Sequence, residues 1–157
     1  MDLLQLWQNI GQEASDLATA IERLPDECEC GDADAHLGGT CACCGGHKRA
    51  GPSPEGQNCL EIISRLRADL TALGQDLSVA GPALGASAVE SGRLELRRGI
   101  FLAARDLKAI LEAFKRLEES VAGFRRECTI TRMRAVKRRC VELRDHCQRV
   151  NAALQDQ

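Results

Sequence analysis

Residues 28–47 carry an unusual concentration of side chains that bind metal ions. The stretch reads CECGDADAHLGGTCACCGGH and places five cysteines and two histidines in twenty positions. Most of its other residues are Gly, Ala, Asp and Thr, which cannot build a hydrophobic core. A tetrahedral zinc site needs four thiolate or imidazole ligands at about 2.0 to 2.3 Å. The residue types of this stretch therefore predict a metal-binding segment.

The spacing of these residues favours one or two zinc ions. A C-x-C pair and a C-x-C-C group are separated by ten residues, three of which are glycines that allow the chain to turn back. Five cysteines and two histidines exceed the needs of one site, which leaves room for a second ion that shares a bridging thiolate. The predicted metal ligands are first Cys28, Cys30, Cys41 and Cys44, and then Cys43 and His47.

Three other states of this stretch stay open. An iron–sulfur cluster also needs about four thiolates, but none of its common cysteine spacings occurs here. Disulfides between the two groups would require an oxidising compartment, and the chain's nine cysteines would leave one thiol unpaired. The stretch could also be a disordered or merely redox-sensitive loop. Asp32 and Asp34 are more typical of solvated turn residues, whereas His36 is balanced between ligand and bystander.

The rest of the chain is typical of a helical protein. Aromatic residues make up only 3% of it, and Leu and Ala dominate, which favours helices over sheets. Apolar residues recur at alternating spacings of three and four in four segments, a pattern that keeps one helix face buried. These stripes run through residues 3–24, 63–77, 96–124 and 133–154. Four such stripes predict an all-α fold, an antiparallel up-down-up-down four-helix bundle.

The cysteine-rich stretch lies inside an overlong connection between the first two predicted helices. A chain of 157 residues suits one domain, so we expect a single helical bundle over residues 1–157. Residues 25–53 have no apolar period, although connections in helical bundles are usually about 2 to 8 residues long. We therefore expect metal to replace the missing core of this loop. The second helix should begin at Pro54, with Ser53 as its N-cap.

The predicted topology brings further cysteines to the same end of the bundle. In an up-down-up-down arrangement, the first connection and the junction between the third and fourth helices share one end. Cys59, in the first turns of the second helix, and Cys128, at that junction, could therefore join the metal site or be ordinary buried residues. Cys140 and Cys147 lie one heptad apart, about 10 Å along one helix, and are predicted to fill the core.

Charge is unevenly distributed along the chain. The net charge is −2, but residues 125–139 contain seven Lys or Arg and one Glu. Such a basic helix can bind nucleic acid, phosphates or an acidic partner. No aromatic residue interleaves these charges, and they surround the helix on every side except its apolar stripe. A solvated helix face is therefore the favoured interpretation.

The sequence also limits location and partners. No run approaches the roughly 18 to 20 apolar residues that span a bilayer, so we expect no membrane partner. The N-terminal residues lack a basic region followed by a continuous apolar stretch, which predicts a cytoplasmic protein without a secretory signal. A second apolar line on the third helix could widen the core or form a homodimer interface, and it consists of Leu94, Phe101, Ala104 and Leu111.

Catalytic motifs are missing from the sequence, which favours a non-enzymatic role. There is no Glu-x-x-His pair for a di-iron centre, no glycine-rich phosphate loop and no G-x-S-x-G. We expect a zinc-binding adaptor or regulatory module that interacts with a protein partner or with a second copy of itself. The alternatives are a metal or redox sensor that releases zinc on thiol oxidation, and an iron–sulfur or catalytic-zinc enzyme or electron carrier.

Overall fold

Four helices and one pair of two-residue strands form the part of the chain that the structure describes. This computed structural model describes residues 3–26, 37–40, 49–50, 53–79, 94–127 and 129–155. The elements are α1 (Leu3–Glu22), β1 (Gly39–Thr40), β2 (Arg49–Ala50), α2 (Pro54–Val79), α3 (Leu94–Arg126) and α4 (Ile130–Gln155). The helices pack against each other, so the prediction of an all-α fold with four helices is confirmed.

Side-chain caps fix where two of the helices begin. At α2, the Ser53 hydroxyl accepts a hydrogen bond from the backbone N–H of Gly56 at 3.0 Å, as predicted for an N-cap. Pro54 occupies the first helical position, where no N–H is needed. At α4, the Thr129 hydroxyl accepts a hydrogen bond from the backbone N–H of Arg132 at 3.2 Å. These two caps define the end of the long loop and the end of the α3–α4 turn.

The apolar stripes of the helices form one hydrophobic core. The largest fully buried side chains are Ile10, Leu17, Ile21, Leu37, Leu66, Leu70, Leu73, Ile110, Leu117, Phe124, Met133 and Leu143. All of them except Leu37 occupy positions in the predicted stripes. Each contributes about 1.5 to 3 kcal/mol through removal of its surface from water.

Among the described helices, none combines the length and the apolar character that a membrane span requires.

Helix α1 packs against both α2 and α4, and polar contacts mark its two ends. Near one end, the Asn151 amide donates to the Trp7 carbonyl at 3.4 Å. Near the other end, the Lys137 ammonium donates to the Leu24 carbonyl. Gly11 allows α4 to approach, because a Cβ at this position would lie 2.1 Å from Nδ2 of Asn151. The contacts hold α1 along the length of α4.

Helix α3 packs along α4 but approaches α2 much less closely. The side chains of Arg67 and Glu118 form an ion pair across the gap between α2 and α3. An open groove of about 380 Å³ remains there, with Leu60, Ile63 and Val121 among its lining residues. The helices therefore enclose a core that is less tightly closed on the α2–α3 side.

Candidate functional site

The two short strands lie within the predicted metal-binding loop and pair with each other. They are antiparallel, with Gly39 opposite Ala50 and Thr40 opposite Arg49. Between Thr40 and Arg49 the sequence reads CACCGGHK, so the eight residues that connect the paired strands include three cysteines and one histidine. Four of the predicted metal ligands thus lie, in sequence, between two strands of fixed register.

The chain that leads into the first strand is attached to the hydrophobic core. Leu37 is 0% exposed and belongs to the same buried cluster as the helix stripes. Gly38 follows with a φ of 77°, a left-handed conformation that a residue with a Cβ rarely adopts. β1 then lies against α3. One apolar side chain and one glycine therefore position the start of the paired strands on the bundle.

A second attachment holds the chain as it leaves α1. Asp26 forms ion pairs with Lys137 at 2.7 Å and with Arg134 at 3.3 Å, both on α4. The hydrogen bond from Lys137 lowers the pKa of Asp26 below its ordinary value, although burial acts in the opposite direction. Lys137 is only 13% exposed, because its side chain reaches inward to Asp26 and the Leu24 carbonyl. The beginning of the loop is therefore held at the N-terminal part of α4.

Most of the predicted metal ligands lie outside the described residues. They are Cys28, Cys30, His36, Cys41, Cys43, Cys44, His47 and Cys128. Cys59 is described and lies fully buried in α2, where burial raises the pKa of its thiol to about 11. Within the described stretches, no group of three or more His, Cys, Asp or Glu residues is arranged to hold a metal ion.

The two cysteines of α4 fill the core, as predicted. Cys140 and Cys147 are both buried. Burial raises the pKa of Cys147 to about 12. Burial also raises the pKa of Cys140, and the neighbouring Cys59 and Glu22 add to that increase. These thiols remain protonated at neutral pH and behave as small apolar side chains.

A pair of carboxyl groups between α1 and α2 was not predicted from the sequence. Burial, followed by a side-chain hydrogen bond with Asp69, raises the pKa of Glu13 to about 7, and Arg65 partly opposes this shift. No donor among the described residues reaches the buried Oε2 of Glu13. The two carboxyl groups can bond to each other only when one of them keeps its proton. Nothing in the local sequence signals a contact between positions this far apart.

The basic stretch 125–139 does not form a single charged face. Arg134 and Lys137 hold Asp26, as described above, and Arg125 lines the groove between α2 and α3. Arg126 faces a different groove, between α3 and α4. The interpretation of this stretch as a solvated helix face stays a prediction, and the charges described above are divided among three places.

The second apolar line on α3 is described only at its last position. Leu111 is 40% exposed, which makes it one of the two exposed large apolar side chains among the described residues. The side chains of Leu94, Phe101 and Ala104 lie outside the described part. The homodimer interface therefore stays a prediction.

Comparison of the chain with protein-family models, with curated proteins and with solved structures found no match.

Proposed function

We propose that this chain is a zinc-binding helical-bundle protein with a non-enzymatic role. One or two zinc ions order the cysteine-rich loop, residues 25–53, and the ordered loop presents a surface to a protein partner at one end of the bundle. The observation that carries this proposal is the strand pairing between Thr40 and Arg49. It brackets Cys41, Cys43, Cys44 and His47 within eight residues.

The energetics of the paired strands support a bound metal. Two residues per strand are too few for a hairpin to be stable by itself in water. The bracketed residues are Cys, Ala, Gly, His and Lys, which offer little apolar surface to bury. Structural zinc contributes an apparent free energy of about 10 to 16 kcal/mol in zinc-finger peptides, far more than a few backbone hydrogen bonds supply. Zinc would therefore stabilise a segment that its own packing cannot.

Two ligand sets are consistent with the strand pairing on either side of residues 41–48. Cys41, Cys43, Cys44 and His47 would together complete one tetrahedral site. Alternatively, Cys28 and Cys30 supply two ligands and the bracketed segment supplies two more, with Cys41 and Cys44 first among them. All six residues together would support two ions that share a thiolate. A reducing compartment such as the cytoplasm would keep these thiols available for zinc.

Two contacts between α4 and the α1 segment support an antiparallel up-down-up-down topology for the bundle. The contact of Asn151 with Trp7 and that of Lys137 with Leu24 place the start of α4 beside the end of α1. In this topology the loop and the α3–α4 turn share one end of the bundle. Cys128 would then lie at the same end as the loop and be a candidate for an additional ligand. Cys59 would have to lose the proton that its buried thiol keeps at neutral pH.

Metal analysis of the full chain, purified with reductant and without added metal, tests the proposal directly. We expect one or two equivalents of zinc, and we expect the variant with Cys41, Cys43 and Cys44 all replaced by serine to lose at least one. The matched control is Cys147→Ala, which removes a core cysteine and should keep the zinc. Less than about half an equivalent of any transition metal in the unmodified chain would overturn the proposal. Iron and sulfide in a brown protein would also overturn it, in favour of an iron–sulfur cluster.

A further inference from the structure

A groove of about 260 Å³ between α3 and α4 is lined by four arginines. Arg116 and Arg126 come from α3, and Arg132 and Arg139 come from α4. Arg116 lies outside the basic stretch 125–139, and four other basic residues of that stretch do not line the groove. The cluster is therefore a product of helix packing and not of local charge density in the sequence.

Small residues also line this arginine groove. Ser120, Gly123 and Ala135 lie between the arginines. A Cβ at Gly123 would lie 2.9 Å from Nη1 of Arg132, so the glycine leaves the space that this guanidinium occupies. Arg132 in turn donates a hydrogen bond to the Gly123 carbonyl at 3.1 Å, which fixes its direction. The Arg132 guanidinium is thus fixed beside the groove, and the Ser120 hydroxyl in the lining offers a further donor to a ligand.

Two of the arginines are held in place by carboxylates that do not neutralise the whole groove. Arg132 pairs with Glu127 at 3.3 Å, and Arg139 pairs with Glu142 at 3.0 Å. Neither glutamate lines the groove. The Nε of Arg139 is buried and has no hydrogen-bond partner among the described residues. These pairs orient two guanidinium groups while leaving donors unused.

The other two arginines of the groove are exposed and have no carboxylate partner in the described part of the chain. Among the described side chains, neither Arg116 nor Arg126 forms an ion pair. The one acidic side chain in the lining is Glu119, against four arginines. A concave site with an excess of one sign of charge concentrates counter-ions of the opposite sign. The positive charge of the groove therefore favours the binding of an anion.

We infer that the arginine groove binds a phosphate-type oxyanion, and that a linear inorganic polyphosphate occupies it best. The guanidinium fork matches the oxygens of phosphate and bonds to them in pairs. Arg116 and Arg126 are ten positions apart, about 15 Å along the helix, which suits several linked phosphates better than one. The groove requires none of the loop cysteines, so this inference is independent of zinc binding.

Titration of the full-length protein with sodium tripolyphosphate, followed by calorimetry, tests the inference. We expect Arg126→Gln and Arg116→Gln each to weaken binding about tenfold, since each removes a charge-assisted hydrogen bond to a phosphate oxygen. Both side chains are exposed and form no ion pair with any described residue, so the variants should fold normally. The matched control is Arg125→Gln, which removes the same charge from the adjacent residue, in the α2–α3 groove. It should change binding less than about twofold.

A variant that strengthens binding provides a second and independent readout. Glu119→Gln removes the negative charge from the lining and should tighten tripolyphosphate binding about threefold, whereas Glu112→Gln, exposed on the same helix outside the groove, should not. Binding should also weaken as salt rises. Equal losses in the Arg125 and Arg126 variants would overturn the inference. So would the absence of binding, or equal affinity for a glutamate peptide or RNA of the same charge.

Discussion

Cysteine occurs in two kinds of sequence context in this chain, and the contrast predicts core packing for one group and metal binding for the other. Cys140 and Cys147 lie in an apolar helix stripe, where burial raises their pKa values and keeps the thiols neutral. The cysteines of residues 28–44 lie in a glycine-rich stretch with no apolar period. A thiol inside a core is a small apolar group, whereas one without a core around it is free to become a ligand.

Removal of zinc should have the largest effect on the structure. It should unfold the cysteine-rich loop and leave the core cysteines in a folded bundle. A chelator should release the loop, because ligand binding supplies its folding free energy, and should leave the bundle helical, because its core is apolar. Trypsin should then cleave after Arg49 rapidly, while the far-ultraviolet circular dichroism keeps its helical shape. If the helical signal disappears with the metal, the loop and the bundle are one folding unit. Cleavage at Arg49 that is insensitive to the chelator would argue against zinc in the loop.

Leu37 connects the two regions, and its truncation should have the next largest effect. Leu37→Ala empties a fully buried position and should lower the free energy of unfolding by about 2 to 5 kcal/mol in a denaturant titration. Because Leu37 anchors the first strand, zinc affinity should fall as well. The matched control is Leu111→Ala, which truncates a side chain that is 40% exposed and should alter neither quantity. A loss of stability without any loss of zinc affinity would show that the anchor and the metal site are uncoupled.

The helices of the bundle could be predicted because the spacing of apolar residues along the sequence indicates which face of a helix is buried. Every one of the largest fully buried side chains except Leu37 lies in a predicted stripe. Leu37 could not be found in this way, because it lies outside every stripe, directly before the left-handed Gly38 and the strand pairing of residues 39–40 with 49–50. The arginine groove and the contact between Glu13 and Asp69 were missed for a related reason. Each unites residues on different helices, and spacing along one helix carries no information about its neighbour.

The same substitution placed in the two cysteine environments should give opposite results. Cys140→Ser puts a hydroxyl group in the apolar core and should lower the free energy of unfolding by about 1 to 3 kcal/mol with zinc content unchanged. Cys43→Ser should reduce zinc content or affinity and shift the unfolding of the bundle by no more than about 0.5 kcal/mol. Denaturant titration and metal analysis of both variants measure the two effects. Loss of zinc in the Cys140 variant would place that thiol in the metal site.

Thiol reactivity offers a check on these assignments that needs no substitution. The pKa of Cys59, raised to about 11, and that of Cys147, raised to about 12, leave almost no thiolate at pH 8. A thiol-specific reagent should therefore modify the core cysteines only after denaturation, whereas chelation alone should expose the loop cysteines. If the zinc site in the loop acts as a sensor, mild peroxide should release the zinc and a reductant should restore it. A structural site should resist such treatment.

The smallest expected effect is that of pH. Bundle stability and zinc binding by the loop should depend on pH with opposite signs. The pKa of Glu13 is raised from 4.5 to about 7, so the folded state holds this proton more tightly, and the stability it provides below pH 4.5 is lost as the pH rises through 7. For a partly exposed carboxyl the loss should be about 1 kcal/mol.

Zinc binding has the opposite dependence, because its ligands must lose protons and so bind better as the pH rises. Denaturant titrations between pH 4.5 and 8 on metal-free protein isolate the contribution of Glu13. Glu13→Gln can donate a hydrogen bond to Asp69 without a titrating proton, so it should remove the slope and raise stability at pH 8. Glu112→Gln, on an exposed surface, should preserve the slope. A slope that survives in the Glu13 variant would assign the pH dependence to other groups and leave the carboxyl pair without a role in stability.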